Sequence, residues 1–234
     1  MRIGGLQKLT LLDYPGKTAC IVFLQGCNFR CPYCHNSGLV IPDPEEETVT
    51  EEEFFQYLKK RQGILDGVVV TGGEPLLQKE MILFLEKIKE LGYGVKLDTN
   101  GTNPELLMEI CERGLVDYVA MDIKHSPEKY EDAVGISEVS MDRIQKSVSF
   151  LLNGSVDYEF RTTLVKGIHT YEDMDKIALW IQGAKRYYLQ NFRDSGSLIG
   201  TKNQNISMDS FTEEEMTEFK RHGDPILDIM IRNV

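Results

Sequence analysis

The stretch from Ile21 to Asn36 reads IVFLQGCNFRCPYCHN, in which an apolar run leads directly into three cysteines. Cys27, Cys31 and Cys34 have the spacing C-x3-C-x2-C. Thiolates are soft ligands that suit iron–sulfur clusters, zinc or copper(I). Because an ordinary iron–sulfur cluster takes four cysteine ligands, three close cysteines indicate a cluster with one iron left open. An open coordination position is where a metal site can carry out chemistry.

The same cysteines allow two plainer interpretations, which their spacing alone leaves open. His35 directly follows Cys34 and is a candidate fourth ligand for a zinc ion. The thiols can also be unrelated core side chains, which is how we interpret the isolated Cys20 and Cys111. A second motif is needed to decide between these readings.

That second motif follows about one strand–helix unit later. The β-branched run Val68 to Val70 predicts a buried strand, and Thr71-Gly72-Gly73-Glu74-Pro75 follows it at once. Two consecutive glycines let the backbone approach a ligand closely, and Glu74 adds one acid beside them. An ordinary solvated acid at the start of a helix is the alternative for Glu74.

Strand and helix patterns alternate along the chain. Capping boxes at Thr50 with Glu53 and at Thr212 with Glu215 mark two helix starts, and Pro104 suits a first helical position. Six short apolar or β-branched runs predict strands of a parallel sheet covered on both faces: Thr18–Leu24, Gly67–Thr71, Gly94–Asp98, Tyr118–Ile123, Tyr158–Leu164 and Tyr187–Phe192. The pattern predicts an α/β fold in which the motifs converge at the carboxyl ends of the strands.

The composition excludes several classes of protein. The chain has 234 residues and a formal net charge of −11, which argues against nucleic acid or an anionic membrane as a partner. No apolar run approaches the roughly 18 residues that a membrane helix needs, and the first residues lack the apolar core of a signal peptide. Because the five cysteines do not form a disulfide framework, we expect a cytoplasmic protein.

Five motifs in order carry a resemblance to a known family. They are Asp13–Lys17 (DYPGK), the cysteine loop, Gly72–Pro75 (GGEP), Leu97–Gly101 (LDTNG) and Met121–Lys124 (MDIK). Together they resemble the radical S-adenosylmethionine superfamily and, within it, the glycyl-radical-enzyme activating enzymes. The resemblance implies a partial (β/α)6 barrel of parallel strands, open on one side, and a single domain over residues 1–234.

The resemblance also implies two cofactors. Cys27, Cys31 and Cys34 would hold one 4Fe–4S cluster per chain, and the amino and carboxylate groups of S-adenosylmethionine would chelate the open iron. One electron from the reduced cluster would cleave the cofactor into methionine and a 5′-deoxyadenosyl radical. That chemistry belongs to the cofactors, while the protein supplies placement and shielding. No catalytic side chain beyond these groups is expected.

Residues at the strand ends match the family's cofactor-binding positions. The resemblance implies that Glu74 accepts hydrogen bonds from the methionine ammonium, that Lys124 lies near the cofactor carboxylate, and that Asp98 and Asp122 border a monovalent cation. The complete expected set is Tyr33, Gly72, Gly73, Glu74, Asp98, Thr99, Asn100, Asp122, Lys124 and Arg161.

Plainer roles remain open for several of these residues. Tyr33 is equally suited to packing, and Thr99-Asn100-Gly101 is also simply a good turn. Asp122 and Lys124 lie two residues apart and share one face of a strand, where ion pairs with neighbours are an ordinary outcome. Arg161 is also suited to pair with a core acid.

The implied partner is a glycyl radical enzyme that the chain activates. The resemblance is greatest to the activases of anaerobic ribonucleoside-triphosphate reductase, with a formate-lyase-like enzyme as the alternative target and a flavodoxin- or ferredoxin-type protein as reductant. Two other functions compete: a radical enzyme acting on a small molecule, and a cluster-bearing electron carrier or zinc module. The motifs GGEP and DTNG have no purpose in a carrier, so the activase is favoured.

Overall fold

Eight strands form the sheet in the part of the chain that the computed structural model describes, residues 1–42, 45, 47–194, 196, 198–199 and 208–232. Each strand is hydrogen-bonded to the next in chain order. The strands are β1 Ile3–Thr10, β2 Ala19–Leu24, β3 Gly67–Gly72, β4 Gly94–Thr99, β5 Tyr118–Asp122, β6 Asp157–Leu164, β7 Tyr187–Asn191 and β8 Ile229–Arg232. The pairs β2–β3, β3–β4, β6–β7 and β7–β8 are parallel.

The predicted α/β fold with parallel strands is confirmed, and β2 to β7 match the six predicted strands to within one residue at each end. Strands β1 and β8 were not predicted from the sequence. Strand β1 pairs antiparallel with β2 and carries two glycines and three polar residues, so it lacks the apolar run that marks the others. Strand β8 has only four residues, which is too short for a periodic pattern.

Helices connect the strands, and both predicted capping boxes are present. Thr50 and Thr212 each accept a hydrogen bond from the backbone of a glutamate three residues on, whose carboxylate bonds back to the cap. The helices are α1 Ser37–Val40, α2 Glu51–Lys60, α3 Met81–Glu90, α4 Pro104–Glu112, α5 Tyr130–Val134, α6 Met141–Asn153, α7 Tyr171–Trp180 and α8 Glu213–Gly223. No helix among these residues is long and apolar enough to cross a membrane.

The chain packs as two compact units, and the prediction of a single domain stays a prediction. The first unit comprises Met1–Asn28, Gly38–Thr99 and Asn103–Ala120. Its core contains the valines of β3 and the apolar faces of α2 and α3, all of which are removed from solvent. Burial of this apolar surface is the main force that holds the strand ends of the unit in place.

The second unit comprises Phe29–Ser37, Asn100–Thr102 and Met121–Val234. It contains a fully buried carboxylate, Glu159 on β6, which pairs with the guanidinium of Arg232 on β8 through two contacts of 2.9 Å. A bidentate pair of this kind compensates the cost of burying the acid and ties β8 to the unit.

Candidate active site

In the first unit, the glycine turn after β3 is joined to the backbone that leads into Cys27. The N–H of Gly73 donates to the carbonyl of Leu24 at 2.8 Å, and the N–H of Glu74 donates to the carbonyl of Gly26 at 2.8 Å. Gly72 has φ +126°, a conformation that side chains disfavour, and a Cβ on Gly73 would overlap the carbonyl of Gly26. Both glycines are therefore needed for this close backbone approach.

Glu74 lies at the end of that turn and is only 1% exposed. Its Oε1 accepts hydrogen bonds from the N–H of Leu76 at 3.0 Å and from the hydroxyl of Thr99 at 2.8 Å. Glu74 is thus the N-cap of the short 3₁₀ helix Pro75–Leu77, as the plainer interpretation predicts, but it is buried rather than solvated. A buried carboxylate is suited to bind a cationic ligand through a charge-assisted hydrogen bond.

Asp98, on β4 of the same unit, forms an ion pair with Lys96. The ammonium lies 2.5 Å from Oδ1 of Asp98, and the lysine side chain is only 1% exposed. Lys96 was not predicted from the sequence as part of the site. The available signal was a lysine inside the otherwise apolar run Gly94–Leu97, because a lysine is almost never fully buried unless it is paired.

In the second unit, Asn100 closes a local turn. Its Oδ1 accepts hydrogen bonds from the N–H of Thr102 at 3.0 Å and from the Thr102 hydroxyl at 2.7 Å. Gly101 has φ +75°, and its carbonyl accepts a hydrogen bond from the hydroxyl of Ser147 at 2.7 Å. The side chain of Asn100 therefore forms the turn that the plainer interpretation predicts.

Asp122, Lys124 and Arg161 form one charged group in the second unit. The ammonium of Lys124 lies 2.9 Å from Oδ2 of Asp122, and Nη2 of Arg161 lies 2.9 Å from Oδ1. Burial alone would raise the pKa of Asp122, but Arg161 and Lys124 outweigh burial and lower that pKa to about 2. Lys124 and Arg161 bring two cations to this group, and such cations can bind an anionic ligand such as a carboxylate.

Tyr33 and two of the three clustered cysteines also lie in the second unit. The N–H of Cys34 donates to the carbonyl of Cys31 at 3.0 Å, which forms a tight turn around Tyr33. Tyr33 is buried, and its hydroxyl has no hydrogen-bond partner among the atoms that the structure describes. Buried hydroxyls in protein cores normally have a hydrogen-bond partner, so this one is consistent with a ligand-binding site.

The chemistry of the thiols separates the cluster cysteines from the other two. None of the five cysteines, all of which the structure describes, forms a disulfide. Burial raises the pKa of Cys20 and of Cys111 to about 12, so both thiols stay protonated and are poor ligands. The described residues contain no ready-made group of three or more His, Cys, Asp or Glu side chains arranged to hold a metal ion. The donor set fits a cluster by its chemistry, since three thiols that form no disulfide lie in one eight-residue loop.

Comparison with known proteins identifies the family. The Radical SAM superfamily model matches residues 21–181. A Methanocaldococcus jannaschii protein named as a glycyl-radical enzyme activating enzyme is 36% identical over 194 residues, which are 81% of this chain and 79% of that protein. The pyruvate formate-lyase 1-activating enzyme of Escherichia coli is 30% identical over 71% of this chain and 68% of its own. The chain therefore belongs to the radical S-adenosylmethionine superfamily and, within it, to the glycyl-radical-enzyme activating enzymes.

Solved structures show the same fold at low sequence identity. SuiB from Streptococcus suis, bound to S-adenosylmethionine, has a TM-score of 0.64 and 13% identity over 92% of this chain, which spans about half of SuiB. The protein anSMEcpe with bound AdoMet has a TM-score of 0.63 and 16% identity over 86% of this chain and 57% of its own. Radical S-adenosylmethionine enzymes fold as partial (β/α) barrels, so the predicted fold class is confirmed. Enzymes of this family use a 4Fe–4S cluster and S-adenosylmethionine, and the prediction of these two cofactors is also confirmed.

Proposed function

We propose that this chain generates a glycyl radical on the anaerobic ribonucleoside-triphosphate reductase. The observation that carries the activase assignment is the match to a glycyl-radical enzyme activating enzyme over 81% of the chain. The choice of reductase rests on the resemblance carried by the five motifs DYPGK, GCNFRCPYCHN, GGEP, LDTNG and MDIK taken together. The proposal includes a flavodoxin- or ferredoxin-type reductant, a cytoplasmic location and no nucleic-acid partner.

The proposal assigns the cluster to Cys27, Cys31 and Cys34. When bound, the cluster and S-adenosylmethionine supply the electron transfer and the deoxyadenosyl radical. The turn at Gly72 and Gly73 lets the backbone next to Cys27 approach closely, and main-chain hydrogen bonds from Gly73 and Glu74 hold this part of the loop. Such fixed backbone gives the thiolates a defined position before they meet iron.

The remaining side chains bind and orient the second cofactor. Glu74 accepts hydrogen bonds from the methionine ammonium, and the cations of Lys124 and Arg161 receive the carboxylate. Asp122 holds both cations in place through its ion pairs. Tyr33 contributes its backbone beside the adenine. Asp98, Thr99 and Asn100, at the carboxyl end of β4, are the other members of the cofactor-binding set.

Replacing Glu74 by glutamine is expected to weaken binding of S-adenosylmethionine by roughly tenfold to a hundredfold, the equivalent of about 1.5–3 kcal/mol for a charge-assisted hydrogen bond. Glutamine keeps an oxygen that can accept from Leu76 and Thr99, so the cap survives while the negative charge is lost. Equilibrium dialysis with the reconstituted protein measures the affinity, and the melting temperature reports the fold. Unchanged affinity would leave Glu74 with its cap role only.

The choice of partner is tested by electron paramagnetic resonance. The reduced protein, S-adenosylmethionine and the anaerobic reductase are expected to give a glycyl radical signal, because flanking amide groups stabilise a glycine Cα radical. Replacing the radical glycine of the reductase by alanine is expected to abolish the signal, and a formate-lyase-like enzyme serves as the comparison partner. A signal on the comparison partner alone would reassign the target.

A second candidate function has one observation in its favour. A 7-carboxy-7-deazaguanine synthase from Thermococcus kodakarensis is 25% identical over 224 residues, which are 82% of this chain and 87% of that protein. A radical enzyme acting on a small molecule is therefore the alternative. Formation of deoxyadenosine with consumption of a small metabolite, and no radical on any protein partner, would select it.

A further inference from the structure

Two buried histidines, His125 and His169, have no role in the site described above. His125 is 1% exposed and His169 is 4% exposed. Their rings stack with centroids 4.8 Å apart and planes inclined by 15°. Both belong to the second unit, His125 in the turn after β5 and His169 in the turn after β6.

The hydrogen bonds of His169 define its tautomer. The backbone N–H of Val165 donates to Nδ1 at 3.1 Å, so Nδ1 is an acceptor. The proton therefore lies on Nε2, which donates to the carbonyl of Lys124 at 2.9 Å. The His169 ring thus joins the turn after β6 to Lys124, which lies two residues beyond the end of β5.

His125 makes the same connection in the opposite direction. The backbone N–H of Ser126 donates to Nδ1 at 2.7 Å, which again leaves the proton on Nε2. That Nε2–H donates to the carbonyl of Ile168 at 3.3 Å. Each histidine therefore donates to the backbone of the other's turn, and we call the two rings with the carbonyls of Lys124 and Ile168 the histidine clasp.

Both rings are neutral around neutral pH. Burial lowers the pKa of His125, and burial together with the neighbouring His125 ring lowers the pKa of His169 to about 4. The nearest acid, Asp173, lies 3.7 Å from Nε2 of His125 and is itself bound by Lys129 at 2.7 Å. The clasp is therefore a neutral hydrogen-bonded connection rather than a charged one.

The clasp joins the two chain segments that carry the charged group. The N–H of Ile123 donates to the carbonyl of Arg161 at 2.8 Å, and the hydroxyl of Thr162 donates to the carbonyl of Ile123 at 2.7 Å. In the turns that follow, His169 donates a hydrogen bond to the carbonyl of Lys124. Fixing that carbonyl restricts the backbone from which the Lys124 side chain projects.

We propose that His125 and His169 are positioning residues, which hold Lys124 beside Asp122 and Arg161 for the carboxylate of S-adenosylmethionine. The inference rests on the proposed function, since it takes Lys124 as a cofactor contact. If the clasp served only to stabilise the fold, its loss would change the melting temperature, and any change in cofactor affinity would not depend on Lys124.

Two substitutions at His169 separate its two hydrogen bonds. The amide oxygen of asparagine lies where Nδ1 lies, so His169→Asn keeps the acceptor for Val165 but does not reach Lys124. The longer glutamine reaches toward Lys124, so His169→Gln keeps a donor there. We expect His169→Asn to weaken S-adenosylmethionine binding about tenfold and His169→Gln to stay within about threefold of the parent. Equilibrium dialysis on protein with its full iron content measures both.

A second measurement needs no cofactor. Amide hydrogen exchange of the cluster-free protein reports the hydrogen bond from Val165 directly. We expect faster exchange at Val165 in His169→Gln and parent-like exchange there in His169→Asn, the opposite order to the binding result. The control is His222→Asn, which removes a histidine that also stacks on a ring, Tyr171, but lies on the surface helix α8. It is expected to change neither measurement.

The Lys124→Ala background separates the role of the clasp from the role of Lys124 itself in binding the cofactor. If the clasp acts through Lys124, the effect of His169→Asn on affinity disappears there. If His169→Asn and His169→Gln lose the same affinity for S-adenosylmethionine, and the loss persists in the Lys124→Ala background, the clasp has a purely structural role and the inference is overturned. The inference is also overturned if His169→Asn binds normally while Lys124→Ala alone binds weakly. Unchanged affinity of Lys124→Ala itself would instead remove Lys124 from the proposed function, and the clasp with it. If the His169 variants do not fold, His125→Asn and His125→Gln test the same clasp through Ile168.

Discussion

Replacing any one of Cys27, Cys31 and Cys34 by alanine is expected to abolish the reducible 4Fe–4S cluster. Each iron of the cluster needs a thiolate except the open one, so no spare ligand remains after a loss. Anaerobic reconstitution, followed by iron and sulfide analysis and by the spectrum of the dithionite-reduced protein, measures the result. The expected outcome is a chain that folds but retains no intact cluster.

Cys20→Ala and Cys111→Ala are the matched controls for this experiment. Burial raises the pKa of both thiols to about 12, so neither can supply a thiolate near neutral pH. Both variants are expected to reconstitute like the parent. A cluster that survived the loss of Cys31 but not the loss of Cys111 would contradict the ligand assignment.

Replacing Lys96 by methionine is expected to lower the free energy of unfolding by about 3–5 kcal/mol, the usual cost of removing one member of a buried ion pair. Methionine has a similar length, so the substitution removes the ammonium that balances Asp98 and leaves the volume filled. Urea denaturation of the variant and the parent measures the difference from the midpoints and slopes.

Two further variants make that result specific. Lys96→Met combined with Asp98→Asn is expected to recover most of the lost stability, because neither charge then remains. Lys87→Met breaks an ion pair with Glu51 of similar length, 2.7 Å, at an exposed position and is expected to leave stability nearly unchanged. Equal losses in Lys96→Met and Lys87→Met would show that the burial of the Lys96–Asp98 pair has no energetic consequence.

Much of this fold could be predicted from the sequence because the parallel strands are short and apolar. Such runs are distinct from the amphipathic helices between them, whose ends carry capping boxes. Strand β1 could not be predicted in this way, since a half-polar edge strand is defined by its antiparallel partner β2 rather than by its own residues.

The candidate site was predictable where its residues fall within contiguous sequence motifs. Glu74, Asp122 and Lys124 fall in such motifs, and the ion pair of Asp122 with Lys124 follows from their two-residue spacing. The paired histidines were not predictable, because their role depends on burial and on partners far apart in sequence: His125 and His169 lie 44 positions apart. Only folding shows that such residues meet.

The close approach at Gly73 has a consequence for how this chain can change over generations. A side chain there would meet the carbonyl of Gly26, which is main chain, as is the Leu24 backbone that a side chain on Gly72 would meet. A crowded side chain can be relieved by a smaller residue elsewhere, but no substitution at a second position makes a peptide carbonyl smaller. No second substitution can therefore compensate for another amino acid at either position, and both are expected to stay glycine in any descendant of this chain that keeps the turn.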